Sequence, residues 1–145
     1  MITVKQILDE KGHAAWTIAP GAKVLEALKL MAEKGIGALV VVEGGEIVGI
    51  LSERDYARKI VLMGRQSQDT PVRDIMTTQI YGVHHDTTAD ECMALMTDKR
   101  IRHLPVCKDG KLVGIVSIGD VVKAVITQQK VTIENLENYI MGKYQ

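Results

Sequence analysis

The sequence predicts a mixed α/β fold (α+β in layout) made of two related halves, and three observations carry that prediction. Sliding the chain by 65 residues aligns Ile18–Ile60 with Val83–Val125 without a gap, with thirteen identical pairs, among them Gly49/Gly114, Ser52/Ser117 and Asp55/Asp120. Each half then writes the same element order of strand, helix, hairpin and helix. One such unit of about 65 residues buries too little surface to be comfortable alone. Two copies packed sheet to sheet about a pseudo-twofold axis therefore form one structural unit.

The elements follow in order. A short strand opens each copy, at Trp16–Ala19 and Tyr81–His84. A helix comes next, with apolar Val24, Leu28 and Met31 in one copy and Ala89, Cys92, Met93 and Met96 in the other, a helical stripe. Thr88 with Glu91 predicts a capping box for the second of these helices. Leu39–Val42 turns through Gly44-Gly45 into Ile47–Leu51, and its counterpart turns through Asp109-Gly110 into Leu112–Val116. Pro105 within the second hairpin predicts an edge or strand-start position. A further helix starts at Ser52 and again at Ser117. Leading segments VKQIL and VRDIM complete each unit, giving residues 1–66 as the first repeat with its leader and 67–130 as the second. Residues 131–145 read as a short C-terminal helix and tail, with Ile133, Leu136 and Ile140 on one face. That stripe packs on its own domain or forms a dimer contact.

Composition narrows the function classes. Eighteen basic and eighteen acidic residues cancel, which argues against a nucleic-acid binder driven by phosphate neutralisation. No apolar run reaches the length of a membrane span, and the start lacks the apolar core of a signal peptide. Cys92 and Cys107 lack metal-type spacing and read as reduced thiols, so a cytoplasmic protein without metal is expected. Phenylalanine is absent, so the core is aliphatic and methionine-rich.

The chemistry-bearing signal is the strand ending Val-Gly-Ile-x-Ser-x-x-Asp, written twice. Ser52 with Asp55, and Ser117 with Asp120, can each cap the helix they open. The same geometry suits a ribose phosphate, because a helix start offers N–H donors and a positive dipole end. Ser52 adds a hydroxyl, Arg54 a planar cation, and Asp55 an acceptor for both ribose hydroxyls. Gly49 and Gly114 suggest room made for that ligand. In the second copy Gly119 replaces Arg54, and positive charge falls instead on Arg100, Arg102 and His103.

These repeated motifs, together with IRHLPV at Ile101–Val106, resemble the cystathionine-β-synthase (CBS) domain, here as a tandem pair. SERDYARK and ENLENYIMGKY are similar to stretches of the stand-alone two-CBS proteins of bacteria and plant organelles. The resemblance implies a non-enzymatic regulatory module that binds AMP, ADP, ATP, NAD or S-adenosylmethionine in clefts between the copies and has no catalytic cofactor. It also implies adenine contacts from backbone near Thr17, Ile18, Ile36, Gly37 and Ala38, and near Val83, His84, Arg102, His103 and Leu104. A homodimer forming a flat disc of four repeats, and an unidentified protein target, are further implications.

Hydrogen bonds to a charged acceptor contribute about 1.5–3 kcal/mol each, so loss of the ribose pair in Asp55→Ala is expected to weaken binding roughly a hundredfold. Three rivals remain at this level. An NAD-type dinucleotide sensor has the same fold. A nucleotide-processing enzyme lacks a carboxylate cluster or a poised nucleophile. A structural dimer would leave both turns without ligand. Gly35-Ile36-Gly37 leads into a strand, which fails the dinucleotide fingerprint, and His84-His85 reads as an exposed loop pair rather than as metal ligands.

Overall fold

A computed structural model describes residues 1–142 and shows two compact units. One comprises Ala14–Tyr81, and the other joins Met1–His13 to Gly82–Gln145. Lys143, Tyr144 and Gln145, the end of the expected tail, lie outside the described residues.

In the first unit, strand β1 (Thr17–Ile18) pairs parallel with β2 (Ala38–Glu43), which pairs antiparallel with β3 (Glu46–Ser52). Helix α2 (Val24–Lys34) lies between β1 and β2 in the chain and ends at Gly35 in the left-handed region. The hairpin turn places Gly44 and Gly45 at φ +58° and +81°, the paired positive angles of a type I′ turn. The second unit repeats this plan with β4 (Val83–His84), α4 (Ala89–Lys99), β5 (His103–Lys108) and β6 (Lys111–Ser117), in the sheet order β4-β5-β6. Arg100 occupies the left-handed position held by Gly35 in the first repeat, at φ 55°.

Pro105 sits in the central strand and not at an edge, which corrects the expectation. In the first repeat the equivalent Val40 N–H donates to the Trp16 carbonyl at 3.4 Å. Strand β4 begins pairing only at Val106, one residue past Pro105, so no donor is needed there.

Both hairpins carry a β-bulge at the repeated dipeptide. Val41 faces Gly49 while Val42 faces Ile47, leaving Val48 as the extra residue; Val113 is the extra residue of the second hairpin. The leading segments explain the glycines. Helix α1 (Val4–Lys11) belongs to the unit of the second repeat, and the 3₁₀ turn Val72–Asp74 to that of the first. Each leader therefore packs on the other repeat's sheet, contrary to the order in which the chain presents them. Thr77 bridges Ile50 on the outer edge of β3, with N···O distances of 2.8 and 2.9 Å. Val72 and Ile75 join Val24, Met31, Leu39 and Leu51 in one buried aliphatic cluster.

Helix ends also differ from expectation in detail. Thr88 accepts from the Glu91 N–H at 3.1 Å, but the reciprocal bond is absent, so that capping box is half formed. A complete box forms at Thr3 and Gln6. After Ser52, α3 (Glu53–Tyr56) widens into a π-helical stretch, Ala57–Val61. After Ser117, α5 (Ile118–Ile140) runs 23 residues without interruption, so the separate short helix expected within residues 131–145 is its continuation. Beyond Gly119 in its first turn no glycine or proline falls in that stretch, and nothing in the backbone chemistry stops the helix.

Candidate functional site: the two Ser-x-x-Asp turns

Each β3-like strand delivers its serine to the start of a helix, and both turns close as full capping boxes. Asp55 Oδ2 accepts from the Ser52 N–H at 3.0 Å and from Ser52 Oγ at 3.1 Å, while Ser52 Oγ accepts from the Asp55 N–H at 3.2 Å. Asp120 Oδ2 accepts from the Ser117 N–H at 2.8 Å, and Ser117 Oγ accepts from the Asp120 N–H at 3.2 Å. The first helical N–H is also engaged. Glu53 donates to the Gly37 carbonyl at 3.0 Å, and Ile118 donates to the Arg102 carbonyl at 2.8 Å. These bonds use three of the four donors a helix start exposes. The supply of N–H groups is thus smaller than the sequence suggested, and in the second repeat Gly119 N–H is the donor outside these bonds.

Both carboxylates have additional partners contributed by the exchanged leaders. Asp55 is buried, and its Oδ1 receives Thr77 Oγ1 at 3.1 Å and Lys59 Nζ at 3.1 Å; Lys59 also donates to the Ile75 carbonyl at 3.0 Å. Lys59 therefore ties the helix to the leader. Asp120 is half-buried and meets Lys11 Nζ at 2.6 Å, and that ammonium also donates to the Ile115 carbonyl at 3.0 Å. Burial alone would raise the Asp120 carboxyl, but hydrogen bonds from Lys11 and Ser117 outweigh it and hold the group below the usual carboxylate range.

Gly49 and Gly114 do not open space for a ligand, which corrects that expectation. A Cβ at Gly49 would stand 2.6 Å from Met76 Sδ and 3.1 Å from the Thr77 carbonyl oxygen. A Cβ at Gly114 would stand 2.8 Å from both terminal carbons of Leu8. The repeated glycine lets the exchanged leader lie against the strand.

The remaining expected residues divide by burial. Ala38, Val83 and Leu104 are buried, so only their backbone groups could meet a ligand. Ile18, Ile36, Gly37 and His103 are partly covered, whereas Thr17, Arg54, His84 and Arg102 are exposed. Register brings Ala38 opposite Ser52 and His103 opposite Ser117, whereas Thr17 and Ile18 pair with Val40 and Val41, and Val83 and His84 with Val106 and Cys107, farther along each sheet from the serine. Burial first, then Lys11 and Arg102, lower the His103 pKa against the pull of Asp120. His103 is thus neutral at pH 7, and Lys11, absent from the sequence-based set, supplies charge there with Arg102. Lys11 lies more than a hundred residues from Asp120 in the chain, so no local pattern could have linked them. Arg102, Ile118 and Gly119 line one end of an open groove of about 730 Å³ that follows α5 as far as Lys130. Among the described residues no His, Cys, Asp and Glu group could hold a metal ion.

A duplicated α/β unit whose strand endings become capped helix starts defines a class of paired modules, and comparison with known proteins says which. The CBS domain family model matches residues 4–62 and 72–127. The chain belongs to the CBS-domain family. It is 43% identical to a mitochondrial CBS domain-containing protein, CBSX3, of Arabidopsis thaliana, over 98% of this chain and 73% of that protein. A solved CBS-domain protein from Burkholderia ambifaria MC40-6, described as a candidate signal-transduction protein, is 54% identical with a TM-score of 0.83, covering 88% of this chain and 96% of that one. The CBS domain pair of protein MJ0100, solved with 5′-methylthioadenosine and S-adenosyl-L-methionine, is 27% identical with a TM-score of 0.74, covering 83% and 97%. No helix among the described residues is long and apolar enough to cross a membrane.

Proposed function

We propose that this chain is a non-enzymatic regulatory module that binds an adenosine-containing nucleotide, AMP first among them, at its two Ser-x-x-Asp turns. It acts in the cytoplasm as a homodimer and passes occupancy to a partner protein. One observation carries the reading: in each repeat a carboxylate is fixed, with a serine hydroxyl, at the start of a helix. Asp55 and Asp120 would accept the ribose hydroxyls. In the second repeat Gly119 N–H, Arg102 and Lys11 would face the phosphate, whereas Ser52 and Arg54 would serve it in the first. Backbone groups of Thr17, Ile18, Ile36, Gly37 and Ala38, and of Val83, His84, His103 and Leu104, would frame adenine. The adenosyl ligands named in the MJ0100 complex support the ligand class.

A mononucleotide at about 0.3 kcal/mol per heavy atom binds in the micromolar range, which suits reporting on a metabolite pool. Parallel calorimetry with AMP, ATP and NAD tests the proposal, with AMP expected to bind tightest. Stronger NAD binding replaces AMP with a dinucleotide. No binding by any of the three, or turnover of ATP with magnesium, overturns it.

A further inference from the structure

The two Ser-x-x-Asp turns differ in how fully their carboxylates are used. Asp55 receives the Ser52 N–H and Ser52 Oγ on Oδ2, and Thr77 Oγ1 and Lys59 Nζ on Oδ1. A carboxylate offers about four lone-pair sites, so this one is saturated. Its side chain is 10% exposed. Among the described residues, Asp120 receives the Ser117 N–H and Lys11 Nζ, both on Oδ2, and its side chain is 23% exposed.

The leader makes the closure at Asp55. Thr77 is pinned to β3 by its paired backbone bonds with Ile50, which keeps its hydroxyl beside the carboxylate. The Ile75 carbonyl holds the Lys59 ammonium at 3.0 Å. Gly119 marks the other turn as open. Its φ lies outside the left-handed region, and among the described residues a Cβ there would meet only Ser117 Oγ, at 3.6 Å, an ordinary contact. Glycine in a helix is less stable than alanine, so neither the backbone nor the packing asks for it. What it leaves is space at the end of the groove beside Arg102 and Ile118, where the first repeat carries Arg54.

From these differences we propose that the two turns fill in order: Asp120 takes the first nucleotide, and Asp55 takes a second only after Lys59 and Thr77 have released it. The inference rests on the nucleotide reading above and adds a lock to one of its two sites. At Asp120 the Lys11 ammonium can turn from Oδ2 to the phosphate of the same ligand, so its charge stays paired. At Asp55 the ribose must displace a buried ion pair and a hydroxyl bond before making its own. Bonds lost there offset bonds gained, which sets the second step at least about a hundredfold weaker than the first. A chain built this way reports two concentration ranges, the lower through Asp120 and the higher through release of the leader's ties to Asp55.

A ¹⁵N-NMR titration of the full chain with AMP reads both turns at once. The Gly119 and Asp120 amides are expected to shift at micromolar AMP, and the Arg54 and Asp55 amides only at concentrations at least about a hundredfold higher. Lys59→Met with Thr77→Val is expected to narrow that interval to about tenfold or less and to leave the first step unchanged. Thr77→Val alone, which keeps the shape of the side chain, is expected to narrow it about threefold. Gly119→Ala is expected to raise the melting temperature and to weaken the first step about tenfold. Simultaneous shifts at both turns in the wild type, or an interval unchanged in both lock variants, overturn the order alone. A Gly119→Ala protein that binds as tightly as the wild type removes the open space as the reason Asp120 fills first. Shifts at neither turn with AMP, ATP or NAD overturn the nucleotide reading and this order with it.

Discussion

Lys11 Nζ stands 2.6 Å from Asp120 Oδ2, so the N-terminal helix holds the carboxylate that opens α5. Removing that ammonium in Lys11→Met should cost about 1 kcal/mol, the scale of a partly exposed charge-assisted bond. The Asp120 pKa is lowered in the fold, so its contribution is fully present above the unfolded value and lost as pH falls through the folded one. The wild type should therefore exceed Lys11→Met in urea stability from pH 7 to 5, and the gap should close as pH falls below about 3.9. A gap independent of pH would exclude the ion pair as its cause.

Asp55 and Asp120 look alike in sequence and differ in surroundings. Asp55→Ala leaves Ser52 N–H, Thr77 Oγ1 and Lys59 Nζ without their buried acceptor, which should destabilise the protein by about 2–4 kcal/mol. Asp120→Ala, at a more open position, should cost about 1–2 kcal/mol. Thermal melts of the two variants check the order; equal losses would contradict the burial argument.

Gly114→Ala should destabilise by about 1–3 kcal/mol, because Leu8 is buried and has little room to move. Shortening the neighbour in Leu8→Ala with Gly114→Ala should cost less than the sum of the two single changes. Urea unfolding of the four proteins in that cycle measures the coupling, and strict additivity would refute the packing role of the glycine.

How much of this was legible follows from where each determinant lies in the chain. The duplication, both hairpins with their glycine turns, and the two Ser-x-x-Asp caps are local patterns, and the structure shows each of them. The exchange of leaders was not legible, because VKQIL and VRDIM are equally compatible with either sheet until a partner surface is known. That exchange hid the reason for Gly49 and Gly114, which the sequence alone assigns to a ligand. It also hid Lys11, and it left His103 counted as a charge although burial keeps it neutral. The single α5 was missed because its buried stripe ends at Ala124, while Ile126, Ile133, Leu136 and Ile140 beyond it are exposed.

Cys92 should resist thiol reagents in the folded protein. Burial first, then Glu91, pushes its thiol up to about 11, so little thiolate exists at pH 8. Cys107 is also raised by burial but is partly accessible, and it should react first. Mass mapping after brief alkylation distinguishes the two, and early labelling of Cys92 would contradict the packing around α4.

The central claim is that Asp120 and its counterpart hold the sugar of an adenosine nucleotide. Calorimetry of AMP against the wild type and a folded Asp120→Ala variant tests it most directly. The account predicts micromolar binding by the wild type and a loss of about a hundredfold at one site in the variant. An unchanged isotherm, or no heat from either protein, would contradict it.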